Sequence, residues 1–266
     1  MFDGLMPSAI ASMQLETGGA HSEFDFSDPV SLYIRAIFEG LYGIDIHANR
    51  NEVTVTPSLP TDWKSAAIQN RFVSYQYAYE NNVETYRIDA SKPYEITLRS
   101  PAKGAKIASV TVNGVALGWD IEPGVNQSYI TVNFTGSVNK TDVVEIRYGA
   151  ASGLPQVSHN VFAVKGGQLQ LTANGIIEDV YDPQGLLKSK GTFGSVSSNV
   201  TLNSWVDGKH TFFVLVKNED VLSWQAVNIE INDTLKFENG TLLAEGGKLF
   251  AEFDLTNCSG DAANLT

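Results

Sequence analysis

The chain has a single cysteine, Cys258, in 266 residues. That excludes an internal disulfide and any zinc site built on cysteine, so the core must hold without covalent staples. Its four histidines, His21, His47, His159 and His210, are scattered, and no His-x-x-x-His or His-Glu-x-x-His spacing occurs, which removes the helical zinc motifs. Gly-x-Ser-x-Gly and the glycine-rich nucleotide loops are missing too; Gly166-Gly167 sits in a hairpin context with no helix after it. No apolar run approaches the ~18 residues of a membrane span. Cations are scarce, 18 Lys and Arg against 30 Asp and Glu, for a formal charge of −12. Such a surface repels phosphate backbones and anionic membranes. No metal, no cofactor, no nucleic acid and no membrane partner is therefore expected. The opening MFDGLMPSAIASM lacks the basic region of a secretory signal. It leaves either a cytoplasmic protein or a piece whose targeting sequence lies elsewhere.

What the chain does have is alternation. From Glu52 the segments NEVTVTP, RFVSYQYAYE, VETYRID, YEITLRS, IASVTVNGVAL, SYITVNFTG and DVVEIRYG have period two, each bounded by Gly, Pro, Asn or Ser. Asn113-Gly114 is the strongest hairpin signal, because a type I′ turn needs positive φ at both central residues. GAASGLPQ, 149–156, reads as a linker. Strands then resume with HNVFAVKGG, QLQLTANGIIEDVYD (a second Asn-Gly at 174–175), SNVTLNSWVDG, HTFFVLVK, QAVNIEIND and LFAEFDLTN. The expected fold is mainly β: a helical segment over 1–46, an antiparallel β-sandwich over 47–150, and a second sandwich-like module over 151–266, cut short at its end.

The helical segment is the odd part. Pro7 can open a short helix over 7–15, since proline tolerates the first turn. After the polar connector GGAHSEFDFSD, Asp28 and Pro29 start a second helix that runs to about Tyr42, with Gly43 closing it in the left-handed conformation. At ~100° per residue, Val30, Leu32, Tyr33, Ile34, Ile37, Phe38, Leu41 and their apolar neighbours leave one polar sector around Ser31, Arg35 and Glu39. An apolar arc of roughly 280° greatly exceeds the stripe of a helix lying on one surface. Its cover must come from helices outside this sequence or from a second subunit.

SLYIRAIFEGLYGIDIHANRNEVTVTPSLPTDWKSAAI, with its Pro57-x-x-Pro60-x-x-Trp63 phrase, resembles the junction in bacterial six-hairpin glycosidases where the last inner helix of an (α/α)6 barrel passes into a C-terminal β-sandwich. The resemblance covers about residues 5–150; beyond 155 only the general look of sandwich modules in glycan-degrading proteins remains. It implies a non-catalytic C-terminal fragment that braces a catalytic barrel, from a periplasmic or extracellular parent, with the chain alone inactive. It also implies that the helix exposes apolar surface or buries it in a homo-oligomer.

Glycoside hydrolysis needs two facing carboxyl groups. The connector into the helix carries Glu16, Glu23, Asp25 and Asp28, with His21 among them. Under the resemblance Glu16 stands where a general base would deprotonate the attacking water, and His21 would touch substrate. The same loop also reads as a solvated acidic lead-in that favours the helix dipole. Carbohydrate could instead be held by aromatic stacking. Trp63, Trp119, Trp205 and Trp224 could each supply such a face, and Tyr75, Tyr77 and Tyr79 alternate on one strand face; Trp205 is favoured because NSWVDGKH reads as a loop, whereas Trp63 is expected as a buried plug. The eight Asn-x-Ser/Thr triplets, from Asn126 to Asn264, are read as a product of composition.

Overall fold

A computed structural model describes residues 13–14, 20–21, 28–150, 153–233, 235–245 and 248–257. Among the described residues the architecture is mainly β with one short helix. By internal contacts the chain divides into two compact units: one of Met1–Pro101, Ser109–Asp120 and Ile130–Arg147, the other of Ala102–Ala108, Ile121–Tyr129 and Tyr148–Thr266.

Two short strands come first, β1 (Met13–Gln14) and β2 (Ala20–His21), paired antiparallel with Met13 opposite His21. The helix expected over 7–15 is thus not present at Met13–Gln14, and the rest of that stretch lies outside the described residues. A helix of nine residues is too short to be stable without a packed partner. Helix α1 (Asp28–Arg35) is real but does not stay α-helical to Tyr42. It widens into a π-helical turn over Ala36–Leu41, where the Tyr42 N–H donates to the Ile37 carbonyl at 2.9 Å, five residues back. Gly43 then closes it at φ +67°, as expected. A Cβ there would lie 1.8 Å from the Thr56 carbonyl oxygen. Only glycine suits the site.

The helix is bare. Leu32, Tyr33 and Ile34 are 65%, 67% and 58% exposed, and Ile37, Phe38 and Leu41 are half-buried. Its end is nevertheless tied to the β core, because Thr56 N–H donates to Gly43 O (2.8 Å), Ser58 N–H to Leu41 O (3.0 Å) and the Tyr75 hydroxyl to Tyr42 O (2.8 Å).

The following strands are β3 (Ile44–His47), β4 (Glu52–Val55), β5 (Ser65–Ile68), β6 (Val73–Glu80), β7 (Val83–Ala90), β8 (Glu95–Pro101), β9 (Ile107–Val112), β10 (Val115–Ala116), β11 (Asp120–Pro123), β12 (Ser128–Thr135) and β13 (Asp142–Tyr148). They form a six-stranded sheet in the order β10-β9-β13-β7-β6-β5 and a five-stranded sheet in the order β11-β12-β8-β4-β3. Pairing is not purely antiparallel, since β4 and β8 run parallel. The Asn113-Gly114 turn has both φ values positive, 53° and 78°, and Asn81-Asn82 does the same work between β6 and β7. Tyr75, Tyr86, Ile88, Ile96, Leu98, Ile130 and Ile146 fill the first unit's core. A wholly buried Glu84 is held there by Tyr77 (3.3 Å) and Ser100 (3.0 Å), with Tyr86 on Ser100 at 2.9 Å. A buried carboxylate costs heavily unless hydrogen-bonded, so these hydroxyls stabilise the ring cluster around it.

The second unit contains β14 (Val157–His159), β15 (Phe162–Val164), β16 (Gln168–Tyr181), β17 (Leu187–Ser189), β18 (Ser195–Leu202), β19 (Gly208–Asn218) and β20 (Val221–Asn232) in one seven-stranded sheet. The hairpin β21 (Leu235–Glu245) and β22 (Lys248–Asn257) forms a two-stranded sheet of its own. Strand β16 runs straight through Asn174-Gly175, so this second Asn-Gly is no turn. Gly175 is needed because a Cβ would stand 2.2 Å from the Lys217 carbonyl oxygen of β19. A register shift between Ile177 and Asp179 resets the alternation, keeping both Ile177 and Val180 inside. Along its other edge β20 takes β15 in parallel and, beside Trp224, the segment 124–126: Asn126 N–H donates to Trp224 O (2.6 Å) and Trp224 N–H to Gly124 O (3.0 Å). Among the described residues the core here is aliphatic, with Val, Leu and Ile residues around one ring, Phe212.

Candidate functional site

The residues singled out in the sequence separate widely. Glu16 lies outside the described residues. His21 is placed only by its backbone, in β2 opposite Met13. Trp205 does sit in a loop, between β18 and β19, and is 69% exposed. That loop is braced: Val206 is buried beneath it, Lys165 reaches Asp207 at 3.3 Å, and His210 Nε2 donates to the Asp207 carbonyl at 2.7 Å. Trp63 is not the buried plug expected of it. It stands 40% exposed in a turn where its N–H donates to Pro60 O at 3.0 Å. Tyr75 and Tyr77 are core residues at 1% and 4% exposure, and burial holds both phenols well above their usual range. Among the described residues no three His, Cys, Asp or Glu side chains gather as a metal set.

Two open surfaces carry better chemistry. The first is an aromatic terrace on the outward face of β16, β19 and β20. Tyr181 is opposite Phe213, and Trp224 is opposite Leu215 one step along. The Tyr181 and Phe213 rings are stacked with centroids 6.3 Å apart at 28°, and Trp224 meets Tyr181 edge-on at 6.2 Å and 65°. Tyr181 is 55% exposed. Amides and hydroxyls rim the patch: Thr211 Oγ1 donates to Asn228 Oδ1 at 2.7 Å, and Asn126 Oδ1 accepts from the Ala226 N–H at 3.1 Å. The signal was the doublet Phe212-Phe213. Consecutive strand residues point to opposite faces, so one of the two had to leave the core.

The second surface is a polar trough on the outward face of β5, β6 and β7. Cross-strand rows Ala67, Gln76, Arg87 and Ser65, Ala78, Thr85 build it, with Ser74 opposite Asp89. Small side chains on β5 leave a depression beside the longer Gln76 and Arg87. Adjoining hollows of about 480 Å³ and 320 Å³ share Asn70, Arg71, Ser74 and Asp89. The Arg71 guanidinium lies 4.5 Å over the Phe72 ring. Asp89 Oδ1 accepts from the Thr141 hydroxyl at 2.6 Å. No periodicity within one strand announces this surface, because it arises from register between strands.

No protein-family model and no curated protein sequence matches the chain.

Proposed function

We propose that this chain is a non-catalytic part of a carbohydrate-degrading protein of the six-hairpin glycosidase kind, in which α1 packs into a helical barrel and the β units brace it. One observation carries the reading: Leu32, Tyr33 and Ile34 are exposed by more than half on a helix rigidly hydrogen-bonded to a well-closed β core. Full burial of such side chains stabilises by about 1.5–3 kcal/mol each, a driving force the described residues leave unused. Because Gly43 and Tyr42 are locked onto the sandwich, whatever seats the helix also positions the sheets.

The isolated chain is expected to bind an apolar dye, to self-associate and to hydrolyse no glycoside, and Leu32→Ser with Ile34→Ser should abolish the first two. In the product of the complete gene, the same double variant should lower the melting temperature and glycosidase activity together. Dye-free monomers, with no effect of the variant on the gene product, would overturn the reading.

The terrace favours a second reading, a glycan-binding module. An exposed Tyr181 ring backed by the half-buried Phe213 and Trp224 and bordered by amides and hydroxyls suits a sugar face, with apolar C–H groups against the rings and hydroxyls at the rim. Retardation in gels containing neutral polysaccharides, lost in Tyr181→Ala/Trp224→Ala, tests it.

A further inference from the structure

We propose that the trough on β5, β6 and β7 binds the carboxylate of an acidic, uronate-type saccharide through Arg71 and Arg87. The sugar part of this assignment rests on the glycan-binding reading above; the anion is argued from the arginines themselves. The chain has six arginines and 30 acidic residues, so an arginine has many carboxylates within reach of evolution and folding alike. Four are engaged: Arg35 with Glu39 at 2.9 Å, Arg50 with Glu52 at 2.8 Å, Arg147 with Glu145 at 3.3 Å, and Arg99 with the Thr56 hydroxyl at 3.3 Å. The other two are Arg71 and Arg87, and both line the trough. Among the described residues neither has a hydrogen bond or an ion pair. Asp89, which lines the same hollow as Arg71, accepts from the Thr141 hydroxyl and is paired with neither arginine.

An unpaired guanidinium keeps a fork of N–H donors matched to a planar carboxylate, and the bidentate pair is the stronger kind of charge-assisted bond. Arg71 is further oriented by its seat over Phe72. Gln76, in the row between Ala67 and Arg87, also carries an amide with no partner among the described residues, suited to a sugar hydroxyl. The hollow of about 480 Å³ lined by Arg71 and that of about 350 Å³ lined by Arg87 meet at Ala67 and Gln76, and each falls in the range of small-molecule sites, roughly 300–1,000 Å³. Their floor of alanine and serine lets a ring approach the sheet.

The experiment is affinity electrophoresis of the full chain in gels containing polygalacturonate, its methyl ester, a neutral polysaccharide or polyglutamate. Polygalacturonate is expected to retard the protein, less so as salt rises. Arg71→Gln/Arg87→Gln should weaken that retardation about tenfold or more with an unchanged melting curve. The methyl ester should not engage the trough. Absence of retardation by polygalacturonate, indifference to the arginine variant, or equal retardation by polyglutamate overturns the proposal. If the neutral polysaccharide binds at the terrace and polygalacturonate does not bind, this inference fails while the glycan reading stands; if neither glycan binds, both fail.

Discussion

The sheets of the two units use aromatic residues in opposite ways. The first turns them inward: Tyr75, Tyr86 and Tyr94 are at most 2% exposed, with Tyr75 and Tyr77 packed on Tyr86 beside Glu84 and Ser100. The second keeps an aliphatic core around Phe212 and sets Tyr181, Phe213 and Trp224 on the outside, with Trp205 on a loop. Aromatic content alone therefore says nothing about stability or binding. Strand parity decides which of the two a ring serves.

That contrast can be broken by substitution, and the largest effect belongs to the first unit. Tyr86→Ala should destabilise by about 3–5 kcal/mol, from the emptied ring volume and the lost hydroxyl on Ser100, as read by urea unfolding. In the second unit Gly175→Val should cost about 1–3 kcal/mol through overpacking against Lys217 O, whereas an Asn-Gly hairpin turn would not meet a neighbouring strand there at all. Smaller again is the pH response of Asp142. Burial pulls its pKa up, but the Ser137 N–H, the Asn113 amide, the Ser137 hydroxyl and Lys140 together bring it below the usual value. A depressed folded-state pKa means stability that is present above the ordinary Asp value of about 3.9 and lost as pH falls through the lower folded one. Acid unfolding below about pH 4 should flatten in Asp142→Asn. The smallest effect is expected at the terrace, where Tyr181→Ala should move stability by no more than about 0.5 kcal/mol. A large loss there would make Tyr181 a packing residue and erase the contrast.

Much of the fold is legible locally because its signals are local. Period two places the strands, Asn113-Gly114 has the two positive φ values its turn needs, and Gly43 is left-handed where the helix stops. What stays hidden depends on partners distant in sequence. Asn174-Gly175 looks like the other Asn-Gly, yet β19 passes so close that its glycine serves clearance rather than turning. Of the short helix proposed over 7–15 only Met13–Gln14 is described, and there pairing with Ala20–His21, set by a segment outside the stretch, decides for strand. The π-helical turn after Arg35 has no composition cue. Of the candidate site residues, the loop exposure of Trp205 follows from NSWVDGKH itself. The trough does not follow from any segment, since Gln76 and Arg87 meet only through the β6–β7 ladder.

One detail of the second unit bears on how the protein keeps to itself. Strand β20 is twelve residues long and rich in Val and Ile, and with bare amides along one flank it would be a template for a stranger's strand. Gly124 and Asn126 occupy that flank beside Trp224, and Phe162–Val164 occupies it near Ile231. A seal made of the chain's own backbone needs neither lysine gatekeepers nor proline, and an acidic protein short of cations has few of the former to spare.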